Sequence, residues 1–428
     1  MTVQEARAAG KGIAAAALRP FASLQEPGGF RALFVSNIAF FTGAWSITFV
    51  LGWMVYEQTH SEVDLAVFTS VRLAPLLLGP LAGVLSDRFE RRRLLLVASA
   101  WSLVATAAIA ALATAGNPAY PALLAAGLAI GIAQSPSQPA RAALAAELVE
   151  PALLSNANAL NSLVFSSTMM LGPAVGGVLV SAFGAPAALW VTAAWYAASF
   201  ISMQRVPADR PRVTEHHDGA WRMLADGARD ILRIRVVSAV LAITILANTL
   251  VFSISSGFMP VFARDVLSLD AAGLGALMTC WGVGGTAGSL IVAGLGDFQR
   301  KGAVFLGGTA LMGLMFALFG LTTAPWLAFL LLTCTGLVSS TFGVLQTTLI
   351  LSATPPQLQG RAMGLQELAI GAMPLAALLV GATAHVVGIG LTTFLFGMLL
   401  AVLLVVIAVT VPALLRYDGV AADRASHA

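Results

Sequence analysis

Gly83-Val84-Leu85-Ser86-Asp87-Arg88-Phe89-Glu90-Arg91-Arg92-Arg93 separates two long apolar runs, residues 65–85 and 94–115. Two acids and four arginines are crowded into a link shorter than many ordinary loops. Each flanking run is long enough for a helix to cross a hydrocarbon core, which takes about 20 residues. A tight, basic hinge between two such helices belongs on the side of a membrane where cationic loops are held during insertion.

The rest of the chain has the same character. Of its 428 residues 58% are hydrophobic and only 10% are charged, and the mean hydropathy is +0.87. A soluble globular domain carries about 25% charged residues, so that class is excluded. Apolar stretches recur, and twelve spans are expected at 31–56, 65–85, 94–115, 121–143, 157–181, 186–204, 236–260, 271–295, 303–323, 326–350, 365–386 and 390–412. Proline and glycine interrupt the second, fourth and fifth. The segment up to Pro27 is basic but lacks an apolar core followed by a small-residue cleavage site. It reads as a cytoplasmic lead-in rather than a signal peptide.

Orientation follows from the 23 lysines and arginines. With the amino terminus inside, all except Arg72, within a span, and Arg264, outside, fall in the tails or the even-numbered turns. Arg141 is counted with those turns. Both termini are then cytoplasmic, and losing one span would scatter the arginines over both sides. The net charge of +3 is therefore a topology signal near lipid headgroups, and no nucleic-acid partner is implied. Cys280 and Cys334 fall inside spans and form no metal or disulfide pattern. No metal or cofactor is called for, and no G-x-x-x-x-G-K-[ST] phosphate loop is present.

The hinge resembles the signature loop between helices 2 and 3 of the major facilitator superfamily, G-x-L-x-D-R-x-G-R-R. Gly83, Leu85, Asp87, Arg88, Arg91 and Arg92 match, while Glu90 stands where the family most often has glycine. The resemblance implies an all-α polytopic membrane protein with 12 transmembrane helices in two six-helix, pseudo-symmetric bundles. It also implies a conformational latch at Gly83, Asp87, Arg88, Arg91 and Arg92, in which the carboxylate ties the bundles together while the site faces outward. Read from chemistry alone, Asp87 can accept backbone N–H groups at a helix start and pair with an arginine. A plain topology anchor is the competing reading.

An internal repeat supports two halves. At a shift of 205 positions, Gly52-Trp53-Met54 meets Gly257-Phe258-Met259, Pro151 meets Pro356 and Gly176 meets Gly381. Gly294-Leu295-Gly296-Asp297-Phe298-Gln299-Arg300-Lys301 is a degraded echo of the hinge, which adds Asp297 to the latch. The expected organisation is a cytoplasmic segment 1–30, a bundle 31–204, a linker 205–235, a bundle 236–413 and a cytoplasmic tail 414–428. Within the linker, residues 220–235 read as an amphipathic helix along the membrane surface. The His216-His217 pair has no third ligand at useful spacing and reads as solvated linker.

Gly172-Pro173-Ala174-Val175-Gly176-Gly177, in the fifth span, matches the core of the G-P-x-x-G-G motif of antiporters in the same superfamily. Glycines at i and i+4 admit a neighbouring backbone, and proline removes one ladder hydrogen bond and bends the helix. The resemblance implies a bias toward proton-linked export; ordinary small-residue packing is the competing reading. Thr168 and Asn161 replace the family's upstream glycines.

Polar residues inside spans are functional hypotheses by default. Arg72 either snorkels outward toward Asp64 or Glu57 or faces a cavity and meets an anionic substrate. Asn37, Gln138, Asn161, Asn248 and Gln346 are further cavity candidates, each competing with a plain interhelical hydrogen bond. No carboxylate lies deep within a span, which disfavours a polycationic drug. The proton carriers left are Asp87, Glu367 and His385.

Within the superfamily the chain is similar to the bacterial group that includes the enterobactin exporter and macrolide-efflux proteins. Ser70-Val71-Arg72-Leu73-Ala74-Pro75 running into the hinge, Asn158-Ala159-Leu160-Asn161-Ser162-Leu163, and Met259-Pro260-Val261-Phe262-Ala263-Arg264-Asp265 carry that likeness. It implies a secondary transporter of the bacterial inner membrane that exports an amphipathic small molecule, drug or siderophore-like, by alternating access and with protons as coupling ion. Each chain would hold a complete site, so a monomer suffices. An importer of a small metabolite with the same fold is the alternative, and a non-transporting membrane enzyme or sensor a remote one.

Overall fold

The computed structural model describes residues 22–25, 29–78, 90–150, 153–207, 229–295, 298–355 and 358–418. These residues are helical almost throughout, with no strand among them. The first six long helical stretches are α1 (Phe30–Thr59), α2 (Glu62–Leu73), α3 (Arg91–Ala115), α4 (Tyr120–Leu148), and α5 and α6, which share the run Leu154–Gln204 as 154–183 and 185–204. The others are α7 (Arg235–Gly257), α8 (Ala271–Gly294), α9 (Lys301–Leu321), α10 (Pro325–Ala353), α11 (Gln359–Val387) and α12 (Ile389–Thr410).

Nine segments among the described residues are long and apolar enough to cross a bilayer. One of them runs for 49 residues, about 74 Å of helix, over twice a hydrocarbon core of about 30 Å. It is divided at Gly184, whose φ of +81° only glycine adopts without strain. The turn between α11 and α12 uses the same device at Gly388, φ +82°. These two glycines stand 388 − 184 = 204 positions apart, close to the sequence repeat, so the two halves turn their last helix pair in the same way.

Valines and leucines such as Val97, Val104, Val178, Leu290, Val405 and Val409 are exposed on the helix flanks. Such a surface is at home in lipid, where helices satisfy their own backbone groups. The chain is a multi-pass membrane protein.

Local sequence explains where helices depart from their expected limits. α2 stays α-helical only to Leu73 and then tightens into a 3₁₀ turn, Ala74–Leu78, around Pro75. α4 runs on to Leu148, so Arg141, expected in a basic turn, lies inside a helix. In α7 a π turn spans Asn248–Phe252. There the Asn248 amide donates to the Thr244 carbonyl at 2.9 Å and the Ser253 hydroxyl to the Asn248 carbonyl at 2.6 Å. Side chains inserted into the ladder are a usual cause of such turns. The chain then re-forms helix at Met259–Val261, with Pro260 in its first turn.

In the first half α1 lies along α5 and α6, and α4 packs on α1, α2 and α3. In the second half α10 packs on α8, α9 and α7, and α12 on α9. The halves join chiefly through α5 with α8 and α2 with α11, and to a lesser extent where the end of α7 meets α2 and Met259–Val261 meets α1. One end of the molecule carries Arg91, Arg92, Arg93, Arg205 and Arg233 and is called the basic face. The other, carrying the α1–α2 and α7–α8 turns, is the opposite face.

Candidate functional site

The glycine-proline stretch of α5 sits on the seam between the halves. A Cβ on Gly172 would stand 2.5 Å from the Cβ of Trp45, and the hydroxyl of Ser46 donates to the Gly172 carbonyl at 3.0 Å. Gly176 faces Phe49 on the same side. Gly177 points the other way: its Cβ would meet the Ala271 carbonyl oxygen at 2.5 Å and the Gly275 Cα at 3.2 Å. A Cβ on Gly275 would in turn lie 2.8 Å from the Pro173 carbonyl oxygen. The motif therefore presses one helix onto α1 and α8 at once. On the second seam, a Cβ on Gly381 of α11 would lie 2.2 Å from the Cβ of Ala66 on α2.

Polar contacts reinforce the seam at and beyond the middle of the helices, toward the opposite face. Tyr56 Oη donates to the Asp265 carboxylate, and Arg264 pairs with Glu57. Ser181 Oγ donates to Asp270 at 2.8 Å, Ser70 Oγ to the Pro374 carbonyl at 2.7 Å, and Thr279 Oγ1 to the Met170 carbonyl at 3.3 Å. Among the described residues these are the polar contacts that cross between the halves. The molecule is thus closed at the opposite face.

Beneath that closure lies a cavity of about 20 Å³ between the halves, room for about one water-sized occupant. Thr48, Thr69 and Arg72 line it from α1 and α2, and Ser255, Ser256 and Met259 from the second half. Arg72 is 7% exposed and donates to Thr48 Oγ1 at 3.1 Å. It does not reach outward to Asp64 or Glu57; no carboxylate pairs with it among the described residues, and Glu57 is engaged with Arg264.

The other polar candidates are placed differently. Asn37 and Asn161 meet each other across α1 and α5, with the Asn37 amide donating at 2.9 Å. Gln346 donates to Thr244 Oγ1 at 2.7 Å, joining α10 to α7, while Asn248 is engaged in its own π turn. Gln138 is exposed on α4, Glu367 is exposed on α11, and His385 is exposed in the last turn of that helix. The structure therefore brings Asn37 and Asn161 together but does not gather the six cavity candidates into one pocket.

Arg141 is the residue that sequence reasoning misplaced. It is 2% exposed, with Nη1 donating to Asn37 Oδ1 at 2.6 Å and to Ser36 Oγ at 3.2 Å, and Nη2 reaching Ser199 Oγ at 3.5 Å. Its guanidinium lies 4.1 Å from the centre of the Phe40 ring, an arrangement in which the ring quadrupole replaces part of the lost hydration. Ser36, Asn37 and Phe40 on one face of α1 were the signal available in the sequence.

Of the hinge, Gly83, Asp87 and Arg88 lie outside the described residues, as do Asp297 and most of the linker. Arg91 pairs with Glu147 at the end of α4, Arg92 donates to the Gln204 carbonyl at the end of α6 at 3.1 Å, and Glu90 pairs with Arg93. These arginines bind three helix ends within the first half, and Glu90 is engaged three residues along its own helix.

Known proteins share this sequence pattern and architecture. "Multidrug efflux pump Tap" of Mycolicibacterium fortuitum is 28% identical over 384 residues, covering 86% of this chain and 91% of that protein. "Staphyloferrin A transporter" of Staphylococcus aureus is 25% identical over 375 residues, 85% and 91%. "Enterobactin exporter EntS" of Shigella boydii is 26% identical over 339 residues, 78% and 80%. Among solved structures, a POT family transporter bound to a thioalcohol-conjugated peptide superposes with a TM-score of 0.74 at 12% identity, over 90% of this chain and 96% of that one. A mutant of the nucleoside transporter NupG does so at 0.67 and 16%, over 90% and 100%. The family model of the Major Facilitator Superfamily matches residues 33–378, and with the two-half architecture above the chain belongs to that superfamily.

Proposed function

We propose that this chain is a secondary active transporter of a bacterial inner membrane that exports an amphipathic small molecule by alternating access, driven by protons. The observation that carries the reading is the packing of Gly172, Pro173, Gly176 and Gly177, which seat α5 on α1 and on α8 while polar contacts close the seam at the opposite face. A glycine-lined seam that is tight at one end is suited to rocking of the two halves about a central site. Relatives named as a multidrug efflux pump and an enterobactin exporter support the outward direction.

In this reading the basic face is cytoplasmic, as are both termini. Twelve crossings form the bundles 31–204 and 236–413, joined by the linker 205–235. Gly83, Asp87, Arg88, Arg91, Arg92 and Asp297 form the cytoplasmic latch that engages when the opposite face opens. Asp87, Glu367 and His385 are the proton-carrier candidates, the substrate is held between the halves, and one chain suffices.

The test uses inside-out vesicles from cells producing the wild type or Asp87→Asn, with amphipathic drugs and catecholate siderophores added and lumenal pH followed. Accumulation that collapses with a protonophore and is lost in the variant is the expected result. Gradient-driven uptake only in right-side-out vesicles would overturn export and establish an importer.

A further inference from the structure

Arg72 sets a problem that the protein itself does not solve. A guanidinium carries five N–H donors and no acceptor, and only one of the five, on Nη1, has a protein partner among the described residues. That partner, Thr48 Oγ1, donates its own hydrogen to the Ala44 carbonyl at 2.8 Å, so it meets Arg72 purely as an acceptor. Arg72 is 7% exposed, lines the cavity between the halves, and has no carboxylate beside it. A buried cation without a counter-charge is strongly disfavoured in a low-dielectric interior.

The rest of the cavity supplies donors rather than negative charge. Among the described residues the hydroxyls of Thr69, on α2, and Ser256, on α7, line it without any protein hydrogen-bond partner. Ser255 is engaged with the Phe252 carbonyl at 3.1 Å. A cavity of about 20 Å³ admits one atom of water or halide size, or the end of one oxyanion. A guanidinium with free N–H groups and two free hydroxyls, drawn from both halves and containing no carboxylate, is built for a single negative centre.

We propose that this cavity is an anion site in which one monovalent anionic centre sits against Arg72 and bridges the halves through Thr69 and Ser256. The negative centre is either free chloride or the carboxylate or phenolate end of a transported molecule. In the second case the inference rests on the transport reading and names the substrate class as amphipathic organic anions. Either occupant ties α2 to α7 beneath the closure, so binding and closure of the opposite face are linked and favour each other.

The experiment measures thermal unfolding of the purified protein in nanodiscs of zwitterionic lipid at constant ionic strength. Sodium chloride or sodium salicylate, an aromatic anion bearing a carboxylate and a phenol, is titrated against sodium gluconate, whose carboxylate is carried by a strongly hydrated polyhydroxyl chain unsuited to an apolar seam. A saturable rise in midpoint of about 3 °C or more that is absent in Arg72→Gln is expected. With chloride, the occupant is the free ion; with salicylate alone, it is the end of a carried molecule. Thr69→Val and Ser256→Ala keep the cation and are each expected to weaken the apparent affinity about fivefold, which preserves the test if Arg72→Gln does not fold. No saturable rise with either anion, or a rise of equal size in all three variants, overturns the proposal. Vesicle transport is scored separately: export without an anion effect leaves the exporter reading standing, and an anion effect without export leaves the site standing.

Discussion

Gly177 faces the carbonyl oxygen of Ala271 so closely that a Cβ on its backbone would stand 2.5 Å from that oxygen. Real Cβ atoms do not approach so near, so even alanine there must push α5 and α8 apart at the seam. Gly177→Ala is therefore expected to lower transport by about tenfold while leaving membrane yield intact, a loss of about 1.4 kcal/mol in the closed arrangement. Gly307→Ala, on α9 with nothing within 4 Å of its Cβ, is the control and should transport normally. Equal activity in both variants would reduce the motif to incidental packing.

Arg141 fixes the direction of two amides. Because a guanidinium can only donate, Asn37 must turn Oδ1 toward it and Nδ2 toward Asn161, as the distances of 2.6 and 2.9 Å record. Asn37→Ala removes an acceptor from a buried cation and is expected to destabilise by about 2 kcal/mol. The double variant Asn37→Leu with Arg141→Met removes both partners and should recover part of that loss. Thermal unfolding of the single and double variants checks this; additive losses would mean the two residues act independently.

Asp270 ties the first turn of α8 to α5. The Gly273 N–H first, and the Ser181 hydroxyl second, hold its carboxyl below the usual carboxylate range. A depressed value means that the ionised form stabilises the closure above the unfolded-chain pKa near 3.8, and that this is lost as pH falls through the lower folded value. The part of the closure held by Asp270 is thus expected to be constant between about pH 5 and 8 and to loosen only below about 4. Asp270→Ala, which loses cap and cross-seam acceptor together, should open the face at neutral pH, whereas Asp270→Asn keeps a capping oxygen. The readout is labelling of Ser255→Cys by an impermeant maleimide added from the opposite face, with Cys280 and Cys334 replaced by alanine.

Arg264 and Glu57 pair across the same face with side chains 33% and 46% exposed. A pair so wetted is worth about 0.2–1 kcal/mol, so Glu57→Gln should change the same labelling by no more than about fivefold. Reversing both charges, Glu57→Arg with Arg264→Glu, should restore it, and failure of the swap would assign the closure to the other cross-seam contacts, Tyr56 with Asp265 and Ser181 with Asp270.

Much of this architecture was legible in the chain. A run of apolar residues long enough to cross a bilayer has few other destinations, because each backbone group must be satisfied inside its own helix. The arginines of the hinge mark the basic face for a similarly local reason, and Arg91 and Arg92 do gather there, at the ends of α3, α4 and α6. Gly172 and Gly176 were readable as close-approach positions, but not that both face α1 while Gly177 faces α8. The polar candidates were least legible. Asn248 answers to its own π turn, Gln346 to Thr244, and Arg141 to Ser36, Asn37 and Phe40.

Hydropathy and charge act on one segment at a time, so the sequence by itself determined the helices, their basic face and the doubling of the halves. Whether a buried polar side chain meets a neighbour, a lipid or an empty space depends on helix rotation and on what packs opposite, which is settled only when all helices are in place. Arg72 and Arg141 show the difference. Both are arginines in apolar surroundings, yet the fold surrounds one with Ser36, Asn37, Ser199 and Phe40 and leaves the other facing a cavity between the halves. That contrast is a property of tertiary packing, because the acceptors that satisfy Arg141 come from two other helices and those missing around Arg72 would have to come from the opposite half.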